Sequence, residues 1–247
     1  MGPGWFVDLH SHVVPSGDDG AQSMAEGVDL CVAAARHGTR TIFATPHVAA
    51  HVPPDEEREA LVADRVEELR RRTGVEVRLG WELTPIAALL DVDPRRYALE
   101  GLDVVLMEVP FTGSADLLVA LAERTEAEGL TPLIAHPERT EAVLERPALA
   151  EELAERGWPL QVNSTSLLGR HGPERQELGW RLLRKGVAQV VASDGHRETR
   201  PARLDEAWAL ALAELGPQAR SLFDGSALEV PHESPTVRRT GSARASV

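Results

Sequence analysis

The stretch WFVDLHSHVVPSGDDG, residues 5–20, ends an apolar run on two histidines two positions apart and follows them with an Asp-Asp-Gly turn. In an extended segment alternate side chains point the same way, so His10 and His12 reach toward one point. Variants of this arrangement recur along the chain. The apolar segments WFVDL, TIFAT, VEVRLGW, DVVLMEV, TPLIA, PLQVN and AQVVAS each have the length of a buried strand, and several are β-branched. Leu/Ala/Arg/Glu-rich stretches with helical period lie between them. Ser23 with Glu26 reads as a capping box opening the first helix, and Gly38 closes it. Val62, Val66 and Leu69 line one face of the second. Thr84-Pro85 predicts a short third helix with Pro at its first position, and Leu117, Leu118, Leu121 and Ala122 mark a fourth. Strands alternating with helices imply parallel pairing through right-handed crossovers. About seven such units fit an open doubly wound sheet or a closed barrel. No GxGxxG or GxxxxGK[ST] follows any strand, which favours the barrel.

The bulk properties agree with one such domain. A chain of 247 residues suits a single α/β barrel, and 43% hydrophobic residues suffice for a large core. The one cysteine, Cys31, excludes an internal disulfide and fits a reducing compartment; it shares a helix face with Met24, Val28 and Ala35, as a core residue does. MGPGWFVD has neither the basic nor the apolar region of a signal peptide, and no stretch reaches the roughly 20 apolar residues of a membrane span. A cytoplasmic protein without membrane insertion is therefore expected. The formal charge of −13 disfavours long-range attraction to nucleic acid or anionic lipid, although some of that excess would be carboxylates held for cations. After about Gly225 the pattern fades into EVPHESPTVRRTGSARASV. The expected organisation is a barrel domain over 1–225 and a flexible tail over 226–247.

Barrel enzymes build their sites at the C-terminal ends of the strands. Here the first strand ends at His10-Ser11-His12 with Asp18-Asp19 close behind. The second ends at Thr45-Pro46-His47, the third at Trp81-Glu82 and the fourth at Met107-Glu108. The fifth ends at His136-Pro137-Glu138-Arg139, the sixth at Asn163 and the seventh at Ser193-Asp194-Gly195-His196. Five of the nine histidines lie on this one rim. Any one of them alone reads as a hydrogen-bonded surface residue. Several carboxylates gathered there without counter-charge would carry a penalty of several kcal/mol per ion, which divalent metals remove. Mixed imidazole and carboxylate ligands suit Mn, Fe or Zn better than Ca. His37, His171 and His232 take structural readings, and His51 is undecided.

The ordered set DLHSH, DDG, TPH, GWEL, ME, HPER and SDGH, from about residue 7 to 215, resembles the PHP (polymerase and histidinol phosphatase) superfamily. Within it, the set is most similar to bacterial capsule- and exopolysaccharide-locus protein-tyrosine phosphatases of CpsB/YwqE type. The resemblance implies a distorted (β/α)7 barrel holding three divalent metals, often manganese, with iron or zinc as alternatives. By the same resemblance His10, His12, Glu82 and Asp194 match the ligands of one metal. Glu82 would bridge to a second, completed by Glu108 and His136, and Asp19, His47 and His196 match the third. Arg139 and Arg200 match residues that bind the substrate phosphate, a task for which a planar guanidinium fork is well suited. Asn163 and Ser164 either line the pocket or form a turn.

The implied enzyme is a manganese-dependent protein-tyrosine phosphatase that attacks its phosphomonoester with metal-activated water. Its expected partner is a phosphotyrosyl protein such as a capsule-system tyrosine kinase; self-association stays open. No CxxxxxR loop is present and Cys31 lies far from any strand end, which argues against a thiolate nucleophile. Gly195 stands where relatives often carry a larger residue, a departure expected to alter packing and not ligation. The rival readings are a small-molecule phosphatase such as histidinol phosphatase, a PHP nuclease, and a metal-binding regulator without turnover.

Overall fold

All seven apolar segments form parallel strands: β1 (Phe6–Ser11), β2 (Thr39–Ala44), β4 (Glu76–Leu79), β6 (Val104–Glu108), β7 (Thr131–Ala135), β8 (Leu160–Asn163) and β9 (Val190–Ala192). Two short strands, β3 (His47–Val48) and β5 (Glu82–Leu83), follow β2 and β4 directly. The computed structural model describes residues 4–111, 114–197 and 199–230. It is a mixed α/β fold with its strands in two parallel sheets, ordered β1-β2-β4 and β3-β5-β6-β7-β8-β9. Backbone bonds carry the pairing past the limits of the two sheets: Thr45 N to Ser11 O (2.7 Å), Gly80 N to Ala44 O (2.9 Å) and Glu82 N to Pro46 O (3.1 Å). Another seam joins β1 to the end of β9, where Asp194 N donates to His10 O (2.9 Å) and His12 N to Gly195 O (2.7 Å).

The helices are α1 (Met24–Arg36), α2 (Glu56–Thr73), α3 (Asp116–Ala127), α4 (Glu141–Glu145), α5 (Ala148–Glu155), α6 (Ser164–Leu167), α7 (Pro173–Arg184) and α8 (Asp205–Leu215). Ser23 caps α1 by accepting from Glu26 N, but the Glu26 carboxylate reaches back to Gln22 N (2.8 Å), one residue earlier than a standard capping box. On α2 the predicted stripe Val62, Val66 and Leu69 is the buried one, and α3 buries Leu118, Leu121 and Ala122. Cys31 is fully buried, and burial pushes its thiol up to about 12. The helix expected at Thr84-Pro85 is not formed. Two 3-10 turns, Ala87–Asp91 and Pro94–Tyr97, take its place. Pro94 has no amide hydrogen to extend a helix and disfavours helical geometry at Asp93, so the segment is too short to nucleate one.

Strand alternation separates two apolar cores. On β6, Val105 and Met107 join the large cluster under the helices, whereas Val104 and Leu106 join a smaller one with Val7, Leu9, Leu133 and Val190. The next position on that second face of β6 is Glu108, at the strand's C-terminal end. Residues 226–230, the start of the expected tail, form a 3-10 turn and bury Val230 in the smaller cluster. The remainder of that tail, 231–247 with His232, lies outside the described residues. No helix among the described residues is long and apolar enough to cross a membrane.

Candidate metal centre

The strand ends bring all nine expected ligands to one rim. Register accounts for part of this: His47 on β3 pairs directly with Glu82 on β5. Ser11, between the two β1 histidines, spends its hydroxyl on Phe43 O (2.6 Å) and so ties β1 to β2. His10 Nε2 and His12 Nε2 then stand 3.2 Å apart, each 3.1 Å from Glu82 Oε2 and 3.5 and 3.6 Å from Asp194 Oδ1. His47 Nδ1 lies 3.3 Å from the same Glu82 oxygen. His136 Nε2 is 2.9 Å from Glu82 Oε1 and 4.0 Å from Glu108 Oε2. At the mouth, exposed Asp19 faces His196 Nε2 at 3.2 Å and His47 Nε2 at 3.6 Å.

These contacts form four groups whose ligand atoms lie within 4.8 Å of one another: His12, Asp19, His47 and His196; His10, Glu82 and His136; His10, His12 and Asp194; His47, Glu82 and Glu108. The groups overlap through shared members. Glu82 joins two of them, as a bridging carboxylate would, and His12 sits with both the Asp194 group and the Asp19 group.

The donor chemistry fits divalent cations. Glu82 Oε2 is buried with three imidazole nitrogens around it, yet it has no hydrogen bond, and the buried His12 Nδ1, His47 Nδ1 and His136 Nδ1 also lack one. An unsatisfied buried carboxylate oxygen costs about 1–3 kcal/mol, and a shared cation would remove that cost at Glu82. Protonation only partly substitutes for it. Burial disfavours charge on His12, but Asp18 and Glu82 outweigh it and hold its pKa up to about 10. Burial drives His47 the other way, down to about 4. Burial, then the Glu82 charge, raises Glu108 to about 7. The hydrogen bond from His196 leads in lowering Asp19 to about 2. Burial opposes charge on Glu82 and Asp194, but His10 heads the neighbours that hold both carboxyls well below the usual range.

Several residues outside the expected ligand sets, Gln161 and Thr84 among them not singled out by the sequence for this site, orient these side chains. His10 Nδ1 donates to Gln161 Oε1 (3.0 Å), Gln161 Nε2 to Asn163 Oδ1 (2.8 Å) and Asn163 Nδ2 to Asp194 Oδ2 (2.7 Å). This relay along β8 leaves the lone pair of His10 on Nε2, aimed at the cluster. His196 Nδ1 donates to Asp194 O (2.9 Å), which likewise turns its Nε2 lone pair toward Asp19. Asp18, the other half of the Asp-Asp pair, accepts from His47 N (2.9 Å) and Gly20 N (3.0 Å) and fixes the loop. Thr84 bonds Glu108. The signal for Gln161 was its two-residue spacing from Asn163. Of the open pair, Asn163 enters the site, whereas Ser164 bonds Arg203 O (3.1 Å) in a turn.

Both arginines reach this rim. Arg139 donates to Asp194 Oδ2, and Arg200 Nη1 lies 3.7 Å from the same oxygen. Asp194 therefore offers one carboxylate oxygen to the histidines and the other to the guanidiniums. Apart from glycine, only His136 (φ 34°), Asp194 (φ 49°) and Glu229 (φ 54°) among the described residues have positive φ. Two of these three are in the site, where strained backbone tends to collect. Of the histidines read as structural, His37 pairs with Asp205 (2.9 Å) and His171 with Thr165 (2.9 Å).

The capsular polysaccharide synthesis CpsB/CapC family model matches residues 6–223. The chain is 32% identical over 226 residues to the tyrosine-protein phosphatase YwqE of Bacillus subtilis, covering 85% of each. It is 27% identical over 238 residues to the tyrosine-protein phosphatase CpsB of Streptococcus pneumoniae, covering 88% of this chain and 95% of that one. A solved structure from work on these two proteins, described as unique metal-dependent tyrosine phosphatases, matches with a TM-score of 0.79 and 31% identity over 86% of this chain and 89% of the other. The fold alone is shared with an adenine deaminase from Arthrobacter aurescens, at 15% identity and a TM-score of 0.54 over 92% and 94% of the two chains.

Proposed function

The chain belongs to the CpsB/CapC capsular polysaccharide synthesis family, and on that premise we propose that it is a metal-dependent phosphatase that hydrolyses phosphotyrosine on proteins. The observation that carries this reading is the buried Glu82 oxygen, faced by three imidazole nitrogens and bonded to none. The ligand sets would be His10, His12, Glu82 and Asp194; Glu82, Glu108 and His136; and Asp19, His47 and His196. Manganese is the proposed occupant, since mixed imidazole and carboxylate sites accept Mn, Fe and Zn and availability decides among them. The bound ions would neutralise charge on the phosphoryl oxygens and lower the pKa of an attacking water.

The rest of the chemistry belongs to the chain itself. Arg139 and Arg200 would grip the non-bridging phosphoryl oxygens, with Asp194 holding both guanidiniums at the mouth until substrate arrives. As the P–O bond to the tyrosine breaks, the same arginines would stabilise the growing charge. A phenolate leaves with a pKa near ~10, so it needs less protonation than an alkoxide would. The bonds that run between the two sheets and across the β1–β9 seam support a closed seven-strand (β/α)7 barrel as the frame. The proposed setting is the cytoplasm, with a capsule-system tyrosine kinase as substrate.

The test uses the Mn²⁺-loaded protein on three substrates side by side: phosphate release is followed from a phosphotyrosyl peptide and from histidinol phosphate, and strand scission from single-stranded DNA. The proposal expects the peptide to be preferred. Preference for histidinol phosphate would replace it with the small-molecule reading, and cleavage of DNA alone with the nuclease reading.

A further inference from the structure

We propose that Phe111 is a specificity-determining residue, which makes the site favour aryl over alkyl phosphate monoesters by stacking on the ring of the leaving group. The inference rests on the phosphatase reading above and extends it to the shape of the substrate. It begins with space. The cleft between the ligand cluster and the arginines has a volume of about 90 Å³. That is far below the ~300 Å³ at which pockets for whole ligands begin. A phenyl ring has no room there beside a phosphoryl group held by the arginines. The ring of a phosphotyrosine must lie at the mouth.

Phe111 stands at that mouth, just beyond β6, and lines the same cleft. Its ring stacks on the His136 imidazole at 5.8 Å with an interplanar angle of 17°, and the Arg139 guanidinium carbon lies 5.3 Å from its centroid. Its carbonyl accepts from Glu141 N (3.1 Å), which ties its backbone to the start of α4. It is nevertheless 43% exposed, and it is the one aromatic among the four most exposed large apolar residues described. The others, Leu61, Leu210 and Leu212, lie on helices away from the cleft. An aromatic face that is positioned by a ligand histidine and a phosphate arginine, yet left partly open, is a surface for an offset-stacked or edge-on ring. An alkyl phosphate presents no such ring. If Phe111 only props His136 and Arg139 in place, its loss will weaken both ester classes alike.

The experiment compares Mn²⁺-loaded wild type, Phe111→Ala and Phe111→Trp. Calorimetry gives the affinities for phenylphosphonate and methylphosphonate, and turnover of a phosphotyrosyl peptide is read in parallel. Wild type is expected to favour the phenyl ligand by roughly tenfold, Phe111→Ala to bring the ratio to within about twofold of unity, and Phe111→Trp to restore it. An unchanged ratio in Phe111→Ala, or an equal loss for both phosphonates, overturns the inference and leaves the phosphatase reading intact. Conversely, wild type that turns over no peptide but keeps a Phe111-dependent phenyl preference contradicts the phosphatase reading while upholding the role of Phe111 in aryl recognition.

Discussion

At the scale of single residues, the proposed ligands depend on neighbours outside the three ligand sets. The relay His10–Gln161–Asn163–Asp194 links two strand-end ligands and sets which His10 nitrogen faces inward. Gln161→Leu keeps the bulk but removes the amide's acceptor and donor, and the loss of a partner that orients a metal ligand weakens metal binding by ~10–100-fold. We expect at least a tenfold weaker affinity in chelator competition; an unchanged affinity would contradict the relay's role. Gly195 acts through close approach. A Cβ there would meet Ala202 Cα at 2.4 Å and Ala202 N at 2.6 Å. The larger residue expected of relatives therefore does not fit this backbone. Gly195→Ala must push away the segment that carries Arg200, at about 1–3 kcal/mol. The expected result is a lower Tm together with weaker phosphate binding; full stability would disprove the tight fit.

Protons enter at the same scale. His12 is raised from 6.5 to about 10, so its contribution to metal-free stability is fully present below pH 6.5 and is lost as pH rises through 10. A cation at Nε2 must displace this proton. Metal affinity should therefore rise by about tenfold per pH unit between roughly pH 7 and 9. Titrating Mn²⁺ into weakly buffered, metal-stripped protein should release protons. No release would show that His12 is already neutral or is not a ligand.

At the scale of elements, β7 and β9 are followed within two residues by non-glycine residues held at positive φ, His136 and Asp194. Such a residue costs roughly 1–3 kcal/mol, which is tolerated where the side chain's direction matters more than local stability. His136→Gly should relieve that strain. The metal-free variant is expected to melt no lower than metal-free wild type and to gain less from Mn²⁺. A large loss of metal-free stability would mean that His136 is a packing residue first. The strands and most of the candidate site were legible because parallel, fully buried strands read as continuous apolar runs and end abruptly in polar residues. β3 and β5 were not legible, since two residues carry no period, yet their pairing of His47 with Glu82 joins two groups of ligands. The segment after Pro85 misled because a proline looks alike at the start of a helix and ahead of a 3-10 turn, and only Pro94 downstream decides between them. Gln161 and Phe111 escaped because a lone glutamine within a strand and a phenylalanine after one have many ordinary uses.

At the scale of the whole molecule, the apolar cores and the proposed metal-binding rim divide the work. Two buried clusters support the fold beneath the rim, while carboxylates and imidazoles crowd one end in a chain that carries a formal charge of −13. Larger cavities of about 620–760 Å³ open elsewhere on the described surface, but none of the nine expected metal ligands lines them. Size alone would have pointed away from the chemistry; the convergence of unsatisfied donors points to it. The account therefore stands or falls on metal-dependent hydrolysis at this rim. The most direct measurement titrates Mn²⁺ into metal-stripped protein while following phosphate release from a phosphotyrosyl peptide. The prediction is negligible release without metal and a rise that saturates with bound Mn²⁺, abolished in His136→Ala. Full activity in the stripped protein, or saturated metal binding with no release, would contradict it.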